Sequence, residues 1–147
     1  MSISVTKKLF SLFIVLSYFT CFVIADCYFT SSVTVYIFNG IPTSTIDVHV
    51  KSGDDDLGHH NITFNLAYHF HFCANIFGNT LFMGDFADNS RSAHFHVYDD
   101  DVAQYVYDEA FADITNVYWL LKQDGYYLSK EVRPYDDPSW AYRGAWE

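Results

Sequence analysis

IDVHVKSGDDDLG, residues 46 to 58, sets an alternating run directly against a turn. Ile46, Val48 and Val50 fall on one side of an extended chain and Asp47, His49 and Lys51 on the other, the period of a half-buried strand. Ser, Gly and Asp then end the run, because their side chains bond the local backbone or tolerate tight turns. The reading is a strand over 46–51 closed by an SGDDDLG turn.

The same period extends outward. Val33, Val35 and Ile37 alternate with Thr34, Tyr36 and Phe38, and Asn39-Gly40 supplies a turn pair. Ile62, Phe64 and Leu66 repeat the period, which resumes with Tyr68, Phe70 and Phe72 inward against His69 and His71. Leu81 and Phe82 open another strand; Phe95 and Val97 face inward in the next, with His94 and His96 outward. From Asp100 to Asp113 the spacing of Val102, Tyr105, Val106 and Ala110 becomes helical, with Asp100 or Asp101 able to cap a first turn. Tyr118–Leu121 and Tyr126–Leu128 flank Gln123-Asp124-Gly125 as a last hairpin. Pro134 and Pro138 oppose regular structure in the tail, yet Trp140 and Trp146 are costly to expose and favour docking. The expected fold is all-β: an antiparallel β-sandwich of about seven or eight short strands, with one short helix or structured loop.

Lys7 and Lys8 precede an apolar run from Leu9 to Ile24, and Val23 and Ala25 are small enough for signal peptidase. Residues 1–25 are therefore read as a secretory signal peptide, the rival being an uncleaved anchor, for which the run is short. The mature chain is then 26–147, a single β-sandwich domain with a Pro- and Trp-containing tail, secreted and extracellular. It carries 6 Lys and Arg against 18 Asp and Glu, a formal charge of −12. That balance disfavours nucleic acid and anionic membrane, and no membrane insertion is expected after signal cleavage. Cys21 leaves with the signal, so Cys27 and Cys73 remain, and they form either one bridge or a bridge-free pair with a buried thiol.

The ordered pieces resemble one family, the plant self-incompatibility S-protein homologues. His49, Lys51, Ser52, Asp55, Asp56, Leu57 and Gly58 match its strand and Asp-Asp-Leu-Gly turn, with Val50 at its cysteine. Tyr68, Phe70, Phe72, Asn75, Phe77, Gly78, Thr80, Leu81, Phe82 and Phe86 look like its aromatic and Thr-Leu-Phe strands, with Phe70 where Trp is usual. Phe95, His96, Val97 and Tyr98 resemble its Phe-Asp-Val-Tyr strand; Trp119, Asp124, Gly125 and Tyr127 resemble its closing hairpin. Gly84 and Val117 stand at two further family cysteines, so the usual bridges cannot form. The resemblance implies a secreted, non-enzymatic ligand for a cell-surface receptor in plant cell-cell signalling, and a monomer is expected. If so, contact belongs on charged loops, for which Gly53–His60 and Asp99–Asp113 are the candidates, with Asp54, Asp55, Asp56, Asp99, Asp100 and Asp101 foremost.

Other chemistry has less support. His69, His71, His94 and His96 would meet at zinc or copper if their strands were neighbours, giving a metal-binding protein or metal-dependent enzyme; outward positions of a strand also simply need polar residues. Calcium at Asp54–Asp56 lacks the EF-hand spacing. No Gly-x-Ser-x-Gly occurs, no carboxylate pair is singled out, and Cys73 sits in an aromatic run, so no catalytic residue or cofactor is expected. Asn61-Ile62-Thr63 is an N-glycosylation sequon.

Overall fold

The computed structural model of the chain describes residues 7–8, 27, 29–107 and 114–147. The proposed signal peptide, apart from its two lysines, lies outside the described residues, as does Ala110. The strands are β1 (Ser32–Asn39), β2 (Ile46–Lys51), β3 (Asp56–Ile62), β4 (Ala67–Cys73), β5 (Phe82–Ala87) and β6 (Ser92–Tyr98). A helix, α1 (Asp100–Val106), leads toward β7 (Ile114–Lys122), β8 (Gly125–Ser129) and β9 (Ala141–Gly144). Two sheets form the expected sandwich, one in the order β4-β1-β7-β8-β9 and the other β3-β2-β5-β6.

Alternation places the core. Val33, Val35 and Ile37 of β1, with Phe70, Val117, Trp119 and Leu121, face Ile46, Val48 and Val50 of β2, with Phe82, Phe86, Phe95 and Val97. Aromatic rings stitch the two layers. Phe82 packs on Phe70 and Phe72 with ring centroids 5.2 and 4.5 Å apart, and Phe95 lies 4.0 Å from Tyr126 and 4.7 Å from Trp119. Trp119 Nε1 donates to the Val97 carbonyl at 2.9 Å, so its one polar atom is satisfied inside the core.

Several expectations are refined. The described residues contain nine strands, and β1 pairs with β7 in parallel, Val35 opposite Val117. A parallel partner needs a long crossover, and the chain between β1 and β7, which runs through the second sheet and α1, provides it. The SGDDDLG stretch is not one turn: Ser52–Asp55 form a tight loop closed by the Ser52 N–H donating to the Asp55 carbonyl at 2.7 Å, and Asp56 begins β3. The register slips by one residue there, and Gly58 takes φ 76°, the left-handed conformation a bulge of this kind demands. Phe64 and Leu66 are exposed and belong to no strand, because β3 ends at Ile62 and the chain turns through Asn65 at φ 63°. Leu81 is likewise outside β5. Neither Asp100 nor Asp101 caps α1; Asp99 does, its Oδ1 accepting from the Val102 N–H at 2.9 Å. Of the residues at helical spacing, Val102 and Val106 are buried and Tyr105 is exposed.

The tail docks as two tryptophans. Trp140 is buried with Nε1 donating to the Pro134 carbonyl at 2.9 Å, and Trp146 donates to the Lys122 carbonyl at 2.7 Å. Between them β9 pairs with β8, a strand the sequence did not announce.

Candidate functional site: the loops at the disulfide end

Strand directions decide which loops meet. β1 and β7 begin, and β2, β4 and β6 finish, at one end of the sandwich, where Ala74 N–H donates to the Ser31 carbonyl at 3.0 Å and a Cys27–Cys73 disulfide joins the entering chain to β4 across 46 residues. Three connections gather there: Ser52–Asp55, the β4–β5 loop over 74–81, and the start of α1. A cleft of about 640 Å³ runs between the first two, lined by Asp54, Asp55, Phe72, Asn75, Leu81 and Phe82 among others. A second, of about 390 Å³, runs from the same β4–β5 loop to His96, Asp99, Asp100 and Asp101. The two acidic segments singled out in the sequence therefore flank one loop.

The six aspartates differ in their freedom. Asp54, Asp55, Asp100 and Asp101 are exposed. Asp56 lies in β3, where its Oδ1 accepts from the Gly58 N–H at 2.9 Å and lies 2.7 Å from His49 Nε2. The Gly58 amide, then His49, hold its carboxyl below the usual range. Asp99 is committed to the helix cap and to His96 Nδ1 at 2.8 Å. The segment Asp56–His60 is thus part of a strand rather than a free loop.

The four candidate histidines divide between two outer faces. His69 and His71 flank β1 on the outside of the five-stranded sheet, His69 stacked on Tyr36 and His71 Nε2 2.7 Å from Ser32 Oγ. His94 and His96 lie on the outside of the other sheet, and His94 Nδ1 engages Asp85. That contact, ahead of Lys51, holds the Asp85 carboxyl below its ordinary value against the opposing effect of burial. The sandwich stands between the pairs, and among the described residues no group of three or more His, Cys, Asp or Glu is arranged to hold a metal. What the pattern missed is that His94 belongs to a lattice: His49 stacks on His59 at 4.2 Å, His59 Nδ1 is 2.8 Å from Asp47, and Lys51 Nζ is 3.4 Å from Asp85. Alternation in β2 was the available signal, since it put Asp47, His49 and Lys51 on one face.

Asn61 is exposed on the outer face of edge strand β3, opposite Asp47 and near the far end of the sandwich.

The model of the plant self-incompatibility protein S1 family matches residues 34–145, which spans both sheets. The chain belongs to that family. S-protein homolog 5 of Arabidopsis thaliana is 33% identical over 97 residues, covering 66% of this chain and 70% of the relative. S-protein homolog 74 of the same plant is 29% identical over 113 residues, covering 76% and 72%. A solved structure of a self-incompatibility protein homologue, from a widespread family of small, highly stable, secreted plant proteins, superposes with a TM-score of 0.55 at 15% identity. It covers 78% of this chain and 97% of the other, and so establishes the same fold. Within this S-protein homologue, Val50 and Gly84 are direct cross-strand partners. Among the described residues no helix is long and apolar enough to cross a membrane.

Proposed function

We propose that this S-protein homologue is a secreted, non-enzymatic recognition ligand, read by a cell-surface receptor in plant cell-cell signalling of the self-incompatibility type. Membership of a family whose solved relative is described as secreted supports export, with residues 1–25 removed as a signal. The observation that carries the reading is the meeting of Ser52–Asp55 and Asp99–Asp101 on either side of the β4–β5 loop. A sandwich holds such loops without needing the exposed Asp54, Asp55, Asp100 and Asp101 for its core, so these four are free for contact. Asn61 lies well away from this end, and a glycan there leaves it open.

The acidic character of that end calls for a basic receptor surface. Raising salt from about 50 to 200 mM should then slow association markedly and change dissociation little, because screening acts on the encounter. Association of the labelled, secreted protein with plant protoplasts, followed at both ionic strengths, tests this; an association rate indifferent to salt removes the reading. Intact mass of the exported protein, before and after deglycosylation, tests the processing: a chain still beginning at Met1 refutes signal cleavage, and an unchanged mass refutes the glycan.

A further inference from the structure

Phe77 is 87% exposed and its neighbour Ile76 66% exposed, at the tip of the β4–β5 loop. The fold gains almost nothing from the Phe77 side chain, and Ile76 keeps two thirds of its surface in water. Single exposed apolar residues are ordinary on protein surfaces. These two differ in how they are held.

The loop is fixed from within. The Phe77 N–H donates to Asn75 Oδ1 at 3.1 Å, the Gly78 N–H to the Asn75 carbonyl at 3.1 Å, and the Asn75 N–H to Thr80 Oγ1 at 2.7 Å. Gly78 and Asn79 then adopt φ 72° and 68°, two consecutive left-handed residues that reverse the chain directly after Phe77. Its base is tied to the entering chain through Ala74 and the Cys73 bridge. Hydrogen bonds are thus spent on a turn that directs two large apolar side chains into solvent. A contact presented in advance loses less entropy on binding than one that must be ordered.

The surroundings define what it fits. On one side lies the cleft with Asp54 and Asp55 on its rim and Phe72, Leu81 and Phe82 in its lining; on the other stand Asp100 and Asp101. An aromatic anchor inside an acidic border matches an apolar slot with a basic border. A second copy of this chain would bring like charges together, and an anionic lipid surface would be repelled.

We propose that the Ile76-Phe77 tip is the energetic centre of the partner-binding surface: Phe77 enters an apolar slot of a protein receptor whose rim of Lys and Arg faces Asp54, Asp55, Asp100 and Asp101. This rests on the ligand reading above and goes further by naming the anchor and the chemistry of its receiving site.

The experiment is saturation binding of the full secreted protein to protoplasts from a panel of floral and vegetative tissues, with and without trypsin treatment of the cells. Wild type is compared with Phe77→Ala, with Phe64→Ala at the opposite end, and with the quadruple Asp54→Asn, Asp55→Asn, Asp100→Asn, Asp101→Asn variant. Thermal melting verifies that all four are folded, and vesicles of phosphatidylcholine with 20% phosphatidylserine (about one lipid in five, ample to report anionic-membrane binding) serve as a lipid control. The expected result is trypsin-sensitive binding that weakens at least about thirtyfold in Phe77→Ala, as for a buried aromatic anchor, and stays unchanged in Phe64→Ala. The quadruple variant should associate more slowly and lose its salt dependence. Saturable binding that Phe77→Ala retains in full overturns this inference and leaves the ligand reading standing, whereas an absence of saturable, trypsin-sensitive wild-type binding in every tissue overturns both. Phe77-dependent binding to the vesicles overturns the protein slot in favour of a lipid surface.

Discussion

Val50 and Gly84 face each other across β2 and β5, and the ring of Phe86 occupies the space above Gly84. A Cβ at Gly84 would lie 2.5 Å from Phe86 Cε2 and 2.9 Å from Val97 Cγ1. Both neighbours are buried, and Phe86 is held by its 4.5 Å stack on Phe95 of the adjacent strand. At this position aromatic packing leaves no room for a side chain, so the glycine is required sterically. Gly84→Ala, or the larger Gly84→Cys, should therefore destabilise by about 1–3 kcal/mol through overpacking. Urea denaturation of the domain measures it; an unmoved midpoint would show that Phe86 can shift at no cost.

Cys27 and Cys73 close the entering chain onto the end of β4. At a sequence separation of 46, the chain-entropy account gives an upper bound of about 4 kcal/mol at 25 °C, and 2–4 kcal/mol is the usual range. Cys27→Ser or reduction should lower the melting temperature accordingly. Because the bridge also anchors the β4–β5 loop, amide exchange at Ala74 and Asn75 should accelerate more than exchange in β7. Equal melting temperatures with and without reductant would refute the bridge.

Asp88 shows how acid should act on the fold. Its side chain is only 4% exposed, and it accepts from Ser90 N–H at 2.9 Å, Arg91 N–H at 3.1 Å, Arg91 Nε at 2.9 Å and Ser44 Oγ at 2.9 Å. Burial alone would raise its pKa; these donors outweigh it and hold the carboxyl well below the ordinary range. A carboxyl depressed in the folded state stabilises above its unfolded pKa, near about 3.9, and loses that contribution as pH falls through the folded value. Asp85, held down chiefly by His94, and Asp56, held down chiefly by the Gly58 amide, act with the same sign. Stability should thus fall steeply below about pH 4. Asp88→Asn should cost about 2 kcal/mol at pH 7 and flatten the acid limb, read from melting temperatures between pH 7 and pH 2. Parallel curves for variant and wild type would refute the assignment.

The parts of this fold that could be read from sequence were those in which one face of a strand is buried and the other wet. In β1, β2, β4 and β6 the alternation named the inward residues correctly, Val33 through Val97. β3 escaped because Gly58 breaks its period at a bulge, and its true span was absorbed into a turn on one side and a false strand through Phe64 on the other. Asn39 read as half of a turn pair; it is fully buried, its amide donating to the carbonyls of Ser44 and Ile62 at 2.8 and 2.9 Å, so it wires three segments together. Such a role depends on distant carbonyls that no local pattern marks. For the candidate site, composition pointed to acidic loops, but only strand direction brought Asp54 and Asp101 to the same end. Phe77 looked like one more ring in an aromatic run. That it points outward follows from two left-handed residues after it, which the sequence signals only through Gly78-Asn79.

Trp146 donates to Lys122 of the five-stranded sheet at 2.7 Å, while Glu147 exchanges backbone hydrogen bonds with Ser92 of the other sheet at 2.7 and 3.1 Å. The Arg91 guanidinium lies 5.2 Å over the Trp146 ring. One dipeptide thus clips the two layers together at the end opposite the disulfide. Gly144, just before it, sits against Tyr126 so closely that a Cβ would meet the phenol oxygen at 2.3 Å, which fixes the approach of the tail. Trp146→Ala should cost about 2 kcal/mol, from lost apolar burial and a carbonyl left without its donor. Removal of residues 145–147 should cost more, since the Ser92 pair is lost as well, and should speed amide exchange at Ser92 before that at Val48. A truncated chain that melts with wild type would show that the clip contributes nothing and that the sheets are held by the aromatic core alone.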